Sequence, residues 1–425
     1  MHTIYKVKIL GFWDNYKIET KFHDDINIFI GKNGTGKTTF INLLQGTLTA
    51  NLTLLSRLQF RKIEIFLKKG RSRNKIVVEK IEKNLEYTSI NFQVGDKKFE
   101  LPFLDRFSRI RGRIPSRVLE HVEEIKNEIN SLYNISYLSV HREVLEESDE
   151  DSSIHPSRRG KVNTVDSRLR KLMNNLTSYQ LRLETEANAL SIGFERQVLQ
   201  SMLFDSEVDF IDLGEKREID LSNLKNGLIQ AYKDLKVHNK DIQKKINLHV
   251  ERIKIAIKEL NEFHSKTSKG LNINDLIPLI LLRRTEKIIE FSKNTESKRA
   301  EIFQPIQDYL KLLRSFIIDK VFTINQRGGL TVEKDNKRFL SSFLSSGEKQ
   351  LIILLTEALL QEKRQFIYIA DEPELSLHIS WQRKIIPSIT QLNENAQLII
   401  ATHSPEIVGK KGDRIINMEN ILTHE

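Results

Sequence analysis

Residues 31–38 read Gly-Lys-Asn-Gly-Thr-Gly-Lys-Thr. This run fits the pattern G-x-x-x-x-G-K-[ST], follows an apolar run at residues 26–30, and precedes a helical pattern at residues 38–48. Glycines at this spacing let backbone N–H groups converge on phosphate oxygens, and the N-terminus of the next helix directs a positive dipole end at the same anion. The sequence therefore predicts a strand, a phosphate-binding loop and a helix, in that order.

The polar side chains of the loop predict ATP and Mg²⁺ as ligands. Lys37 would contact the β- and γ-phosphates, and the hydroxyl of Thr38 would bind Mg²⁺. The alternative, a chance glycine-rich turn, does not explain the strand and helix on either side. The predicted ATP-binding residues are Gly31, Lys32, Asn33, Gly34, Thr35, Gly36, Lys37, Thr38 and Thr39.

Two further sets of polar residues follow predicted buried strands. Residues 366–370 are almost entirely apolar and lead to Asp371 and Glu372, and the apolar run 397–401 leads to His403. Asp371 would hold Mg²⁺, and Glu372 would polarise the attacking water. His403 would bind the γ-phosphate or hold Glu372. Taken alone, paired acids often cap a helix and a single His is often structural, but the phosphate loop upstream favours the catalytic interpretation.

A Ser-Ser-Gly turn precedes a strongly apolar helical pattern, in the run Leu-Ser-Ser-Gly-Glu-Lys-Gln at 344–350. Such a turn at a helix N-terminus is suited to anion binding. It is equally typical of ordinary capping, with Ser345 as the cap and Glu348 at the third helical position. Its place shortly before the Asp-Glu pair favours a functional role.

Strand patterns at both ends of the chain flank a helical middle. This predicts an α/β fold in which one head, with a mixed sheet and helices, is completed from both ends. The predicted divisions are 1–163 for the first part of the head, 164–320 for a helical insertion and 321–425 for the second part. The insertion is either a layer packed on the core or a projecting, coiled-coil-like arm. Its heptad-like apolar seam is Ile242, Ile246, Val250, Ile253, Ile257 and Leu260.

Four motifs in this order resemble the ABC-type ATPase superfamily, in its SMC- and OLD-like branch. They are residues 31–38, 344–350, 366–378 and 401–405. The resemblance implies an ATPase that hydrolyses ATP to ADP and phosphate, and that works at least as a head-to-tail dimer or as a larger homo-oligomer. No clear match exists for the Mg²⁺-sensing Gln of the superfamily. His141 and Arg142 are the candidates for that region, and Arg142 could equally be a surface charge.

The resemblance also implies which residues act between subunits. The signature motif of one subunit closes over the nucleotide held by the other, and residues 375–378 are the D-loop at that interface. The residues implied to act in trans are Ser345, Ser346, Gly347 and Glu348.

The motif order further resembles the ATPase subunits of bacterial antiphage systems, of the AriA type in PARIS and the PtuA type in Septu. This implies an antiviral sensor and scaffold that holds, releases or activates a separate nuclease of the TOPRIM or HNH type. A phage protein would be the trigger. Because the chain ends soon after His403, we expect the nuclease effector to be another protein.

Composition narrows the classes further. The 425 residues include no Cys, which excludes disulfides, Cys-ligated zinc and a zinc-hook arm. No apolar run is long enough to span a membrane, so we expect a cytoplasmic protein and no membrane partner. The net charge of +10 permits DNA binding. The alternative function is therefore an SMC-like ATPase of DNA repair that grips DNA through Arg106, Arg109, Arg111, Arg113 and Arg117. These arginines could instead form a solvated face or contact an acidic partner.

Overall fold

The computed structural model describes most of the chain. The described residues are 2–83, 86–102, 116–139, 164–203, 219–264, 273–325, 327–339, 343–409 and 411–425. They form two compact units: Met1–Thr177 with Asp308–Glu425, called the head, and Ser178–Gln307, called the helical unit.

Strands are confined to the head, within the described residues. They are β1 (Thr3–Phe12), β2 (Tyr16–Lys21), β3 (Ile26–Ile30), β4 (Lys62–Lys69), β5 (Ser72–Lys83), β6 (Glu86–Val94), β7 (Lys97–Pro102), β8 (Asn134–Ser139), β9 (Val321–Ile324), β10 (Leu330–Lys334), β11 (Lys337–Phe339), β12 (Phe366–Asp371), β13 (Ala396–Ala401), β14 (Ile415–Asn417) and β15 (Leu422–His424).

Helices occur in both units. They are α1 (Lys37–Leu48), α2 (Leu52–Arg57), α3 (Ser116–Leu132), α4 (Thr164–Gln200), α5 (Leu221–Asp234), α6 (Lys240–His264), α7 (Ile273–Phe316), α8 (Ser346–Leu360), α9 (Ile379–Leu392), α10 (Pro405–Val408) and α11 (Met418–Ile421). None of the described helices is long and apolar enough to cross a membrane.

A five-stranded parallel sheet takes strands from both ends of the chain, in the order β14-β3-β13-β12-β8. Every residue of β12 and β13 is buried, which explains their near-continuous apolar sequences. Asp371 pairs with Ala401 on one side and with Ser139 on the other. The predicted completion of one sheet by both chain ends is confirmed, as is the α/β class.

A seven-stranded antiparallel sheet forms the second layer, in the order β15-β2-β1-β4-β5-β6-β7. Within it, β4, β5 and β6 are neighbours in that order. A small antiparallel sheet, β11-β10-β9, lies apart from both.

The core of the head joins the two large sheets through α1. One apolar cluster contains Ile65 from the antiparallel sheet, Ile399 from the parallel sheet, and Phe40 and Leu44 from α1. The rings of Phe40 and Phe29 lie 4.8 Å apart, which packs α1 against the strand that leads into the phosphate loop. Burial of α1 therefore fixes the position of the loop at its N-terminus.

The helical unit has apolar clusters of its own. The predicted seam on α6 is buried there: Ile246, Val250 and Ile253 pack with Leu228 of α5 and Leu282 of α7. The division between the units falls inside α4 and α7, at 177/178 and 307/308. The first turns of α4 and the last turns of α7 thus belong to the head, because they pack there. The predicted domain boundaries at 163/164 and 320/321 lie where the sequence changes from strand patterns to helical patterns and back. They stay proposals.

Candidate functional site

Three of the four motifs meet at one edge of the parallel sheet. Because β3, β12 and β13 run in the same direction, the residues that follow them lie along the carboxyl edge. These are the phosphate loop after β3, Asp371 and Glu372 at the end of β12, and His403 after β13. Ligands of open α/β sheets bind at this edge.

The phosphate loop wraps around the ammonium group of Lys37. Lys37 Nζ donates to the carbonyl oxygens of Gly31 at 2.8 Å and Lys32 at 3.2 Å. Gly36 caps α1 with φ 88°, a left-handed conformation, and provides no side-chain hydrogen bond to the N-terminus of the helix. Lys32, Asn33 and Gly34 are exposed. The loop is therefore open to a phosphate group on its outer side.

Lys37 also lies within a group of acidic side chains. Burial lowers the pKa of Lys37, and the carboxylates of Glu372, Asp371, Glu374 and Glu419 act in the opposite direction. The acids thus favour the charged form that a phosphate requires.

Glu372 and His403 face each other. Glu372 Oε1 lies 3.6 Å from His403 Nε2. Glu372 has φ 48°, uncommon for a residue other than Gly, and its N–H donates to the carbonyl of Ala401 at 2.8 Å. This turn presents the carboxylate beside the loop that follows β13. The arrangement can polarise a water molecule, with His403 orienting the carboxylate.

Oxygen donors suited to Mg²⁺ are present where the sequence predicts them. Asp371 is 1% exposed at the end of β12, and Thr38 is half-buried in the first turn of α1. A carboxylate and a hydroxyl are hard oxygen ligands, which Mg²⁺ prefers, and its remaining ligands in such sites are phosphates and water. The donor set fits Mg²⁺ bound together with a nucleotide. Within the described residues, no group of three or more His, Asp or Glu side chains could hold a metal alone.

The turn of the signature motif, residues 344–348 (called the signature turn), forms a capping box at the N-terminus of α8. Ser345 Oγ accepts from the N–H of Glu348 at 3.3 Å, and Glu348 Oε2 accepts from the N–H of Ser345 at 2.8 Å. Glu348 also binds Lys320 inside the same head. Burial of Glu348 raises the pKa of its carboxyl group, but the hydrogen bonds from Lys320 and Ser345, with the charge of Lys320, together outweigh this effect and the pKa is lowered. Ser345 and Ser346 remain exposed, while Gly347 and Glu348 are buried.

Three residues without a predicted role lie at the site. Glu374 Oε1 accepts from Thr402 Oγ1 at 2.5 Å and from the N–H of His403 at 3.0 Å. Trp13 packs against the phosphate loop, since a Cβ on Gly36 would lie 2.9 Å from Trp13 Cη2. Glu419 Oε1 accepts from the N–H of Lys32 at 3.4 Å.

These contacts had little signal in the sequence. Glu374 belongs to the quoted motif at 366–378, so its position is the one available hint. Trp13 and Glu419 are far from the loop in sequence and come to it only through the fold.

Some predicted residues cannot be placed. His141 and Arg142 lie outside the described residues, although β8, which precedes them, adjoins β12 beside Asp371. Of the five arginines predicted to bind DNA, the structure describes only Arg117, in the first turn of α3. The other four lie outside the described residues: Arg106, Arg109, Arg111 and Arg113.

Residues 26–409 match the family described as "AAA domain, putative AbiEii toxin, Type IV TA system". The chain belongs to this family. The match begins at β3 and spans the phosphate loop, the signature turn, the Asp-Glu pair and His403.

Two curated relatives carry the name of an ATPase. The "Retron Ec83 probable ATPase" of Escherichia coli is 24% identical over 93% of this chain and 68% of its own length. The "Retron Vc95 probable ATPase" of Vibrio cholerae serotype O1 biovar El Tor is 25% identical over 87% of this chain and 72% of its own length. The more specific resemblance to the AriA and PtuA types stays a prediction.

Solved structures with some similarity include two Smc head domains. The head with an extended coiled coil bound to the C-terminal domain of ScpA, from Pyrococcus furiosus, has a TM-score of 0.45, with 13% identity over 100% of this chain and 96% of that one. The head with a coiled coil and joint from Pyrococcus yayanosii has a TM-score of 0.41, with 13% identity over 98% and 95%. Both scores are below 0.5, so neither supports a conclusion about function.

Proposed function

We propose that this protein binds and hydrolyses ATP, and that it controls a separate nuclease in a bacterial antiviral defence complex. The observation that carries the hydrolytic part is the pair Glu372 and His403, 3.6 Å apart at the same sheet edge as Lys37. A phosphate loop alone would serve binding equally well. A carboxylate beside that loop, with a histidine ring 3.6 Å away, can polarise a water molecule and so supports hydrolysis.

Binding would begin at the phosphate loop. Phosphate oxygens would replace the carbonyls of Gly31 and Lys32 as partners of the Lys37 ammonium, and the N-terminus of α1 would add its positive dipole end. Thr38 and Asp371 would hold Mg²⁺, which supplies charge neutralisation at the phosphates when bound. Glu372 would accept a proton from the attacking water, and His403 would keep Glu372 in place.

Closure of two heads would complete the site. Ser345 and Ser346 are exposed at the N-terminus of α8, where they are available to the nucleotide of a second copy. A γ-phosphate joining Lys37 of one copy to Ser345 of the other would stabilise the closed state, and hydrolysis would remove that link. Since a ligand shifts only states that it binds differently, this bridge would couple ATP to the partner protein.

The defence role is supported by the curated relatives, which are named as retron ATPases. We infer that this chain acts in a system of that type, with a nuclease of the TOPRIM or HNH class as the effector and a phage protein as the trigger. A gene for a reverse transcriptase beside this one would favour a retron over the AriA and PtuA types.

The test uses Lys37→Ala, with Lys69→Ala on the exposed end of β4 as the matched control. Lys37→Ala should abolish phosphate release by the purified protein, and in the native operon it should restore phage plaques. The control should behave as wild type in both assays. Full protection by Lys37→Ala would contradict the ATP-dependent mechanism, and a wild-type protein without hydrolysis would leave only a binding scaffold.

A further inference from the structure

Two glutamates in the loop after β12 contact the loop after β13, which carries His403. Glu372 faces the His403 ring, while Glu374 binds the main chain beside it. The side chain of Thr402 donates to the same oxygen of Glu374, at 2.5 Å. Thr402 is itself fully buried, and its N–H donates to the carbonyl of Phe29 in β3 at 3.1 Å. The backbone of His403 is thus restrained, and its ring lies 3.6 Å from Glu372.

The hydrogen bonds continue from this loop to the D-loop. Thr402 Oγ1 accepts from the N–H of Ser404 at 2.9 Å, and Ser404 Oγ donates to Gln382 Oε1 at 2.6 Å. Gln382 Nε2 then donates to the carbonyl of Leu377 at 3.2 Å. One chain of contacts therefore runs from Glu374 through the His403 loop to residues 375–378.

The two carboxylate oxygens of Glu374 differ in their contacts. Glu374 Oε2 is buried and has no hydrogen-bond partner within the described part of the chain. Among the described hydrogen bonds, Glu374 therefore holds the His403 loop through Oε1 alone. Glu374 also acts on the pKa of Lys37, but only after Glu372 and Asp371, so the larger charge contributions at the phosphate loop remain when Glu374 is replaced.

We propose that Glu374 is a positioning residue for ATP hydrolysis: through Thr402 and the His403 N–H, it holds the His403 ring opposite Glu372. The inference rests on the proposed hydrolytic function and adds a residue to it. Glu374 contacts neither the phosphate loop nor the water-polarising carboxylate directly in the described hydrogen bonds. Its loss should therefore slow the chemical step and leave nucleotide binding intact.

The test compares Glu374→Ala with Glu374→Gln in the full-length protein, with Glu394→Ala, an exposed acid just before β13, as control. Glu374→Ala should lower kcat about 10- to 100-fold, because a misplacement of about 1 Å at a catalytic group costs rates of that order. KM and the affinity for a fluorescent ATP analogue should stay within twofold of wild type. Glu374→Gln keeps an acceptor oxygen and should recover most of kcat.

Hydrogen exchange measured by mass spectrometry separates this inference from the proposed function. Glu374→Ala should lose protection in a peptide covering residues 401–409, and Glu374→Gln should keep it, whether or not the wild type hydrolyses ATP. Wild-type protein without activity would refute the proposed function alone. Unchanged kcat and protection in Glu374→Ala would overturn the positioning role, as would a parallel loss of nucleotide affinity.

Discussion

Gly347 of the signature turn lies directly against the main-chain carbonyl oxygen of Ser376 in the same head. A Cβ on Gly347 would be 2.4 Å from that oxygen, much closer than any real Cβ contact. Ser376 has φ 69°, so the loop 375–378 makes its turn where α8 begins. The glycine of the signature motif therefore has a role within one subunit, beside any contact with a nucleotide across an interface.

Gly347→Ala should destabilise the head by about 1–3 kcal/mol, because the added methyl group overlaps a backbone atom that cannot move alone. The measurement is urea unfolding followed by tryptophan fluorescence, since Trp13 and Trp381 both lie in the head. Gly412→Ala is the control, because nothing lies within 4 Å of a Cβ there. Equal stability of the two variants would show that the two loops do not pack as described.

Glu372→Gln should bind ATP with an affinity near that of wild type but hydrolyse it about 10²–10⁴ times more slowly, since the amide cannot accept a proton from water. The 3.6 Å contact with His403 survives sterically, so the loop should keep its position. Single-turnover phosphate release measures the rate, and light scattering with ATP measures assembly. A variant as fast as wild type would exclude Glu372 as the base.

The parts of the fold that follow from local pattern were predictable. β12 and β13 are buried on both faces, so their sequences are apolar runs. The glycine spacing of the phosphate loop, the strand before it and the helix after it all lie in one short stretch of sequence. Parallel pairing of β3, β13 and β12 then brings Lys37, Glu372 and His403 to one edge.

Contacts that depend on one residue's backbone conformation were not predictable. Glu374 reaches Thr402 because Glu372 turns the chain at positive φ, and nothing in the composition of the motif indicates that conformation. The C-terminal strands are three residues each, too short for a periodic pattern, yet Glu425 binds the N–H of Gly11. Such long-range closures arise from the packed sheets and not from local sequence.

Arg168→Ala should destabilise the head by about 1–2 kcal/mol, because it removes a charged donor from the carboxylate of Glu357; the Glu357 side chain is 5% exposed, whereas that of Arg168 is 39% exposed. Arg168 lies in the first turns of α4 and Glu357 in α8, and Arg168 Nε donates to Glu357 Oε1 at 2.8 Å. Replacing both residues by leucine should recover much of the loss. Urea unfolding checks this, with Lys311→Ala as the control.

Lys311 pairs with Asp308 on an exposed surface at 3.8 Å, so its loss should cost less than about 1 kcal/mol. If Arg168→Ala and Lys311→Ala cost the same, the pair between α4 and α8 contributes no more than an exposed ion pair.

Lys80 should make the stability of the head depend on alkaline pH. Its ammonium group lies over the Phe60 ring and donates to the carbonyl of Leu58. Burial lowers the pKa of Lys80 from 10.5 to about 8, and Asp14 opposes this shift only in part. At pH values between about 8 and 10.5, Lys80 carries a proton in the unfolded chain but not in the folded head. The free energy of unfolding therefore rises with pH in this window, by at most about 1.4 kcal/mol per unit.

Lys80→Met should remove this contribution, so the difference in unfolding free energy between wild type and variant should change steadily from about pH 8 to pH 10 and stay constant below it. Urea titrations at a series of pH values give that difference directly. Lys69→Met, at an exposed position of β4, should run parallel to wild type throughout. A Lys80→Met curve that is also parallel to wild type would mean that Lys80 keeps an ordinary pKa in the folded head.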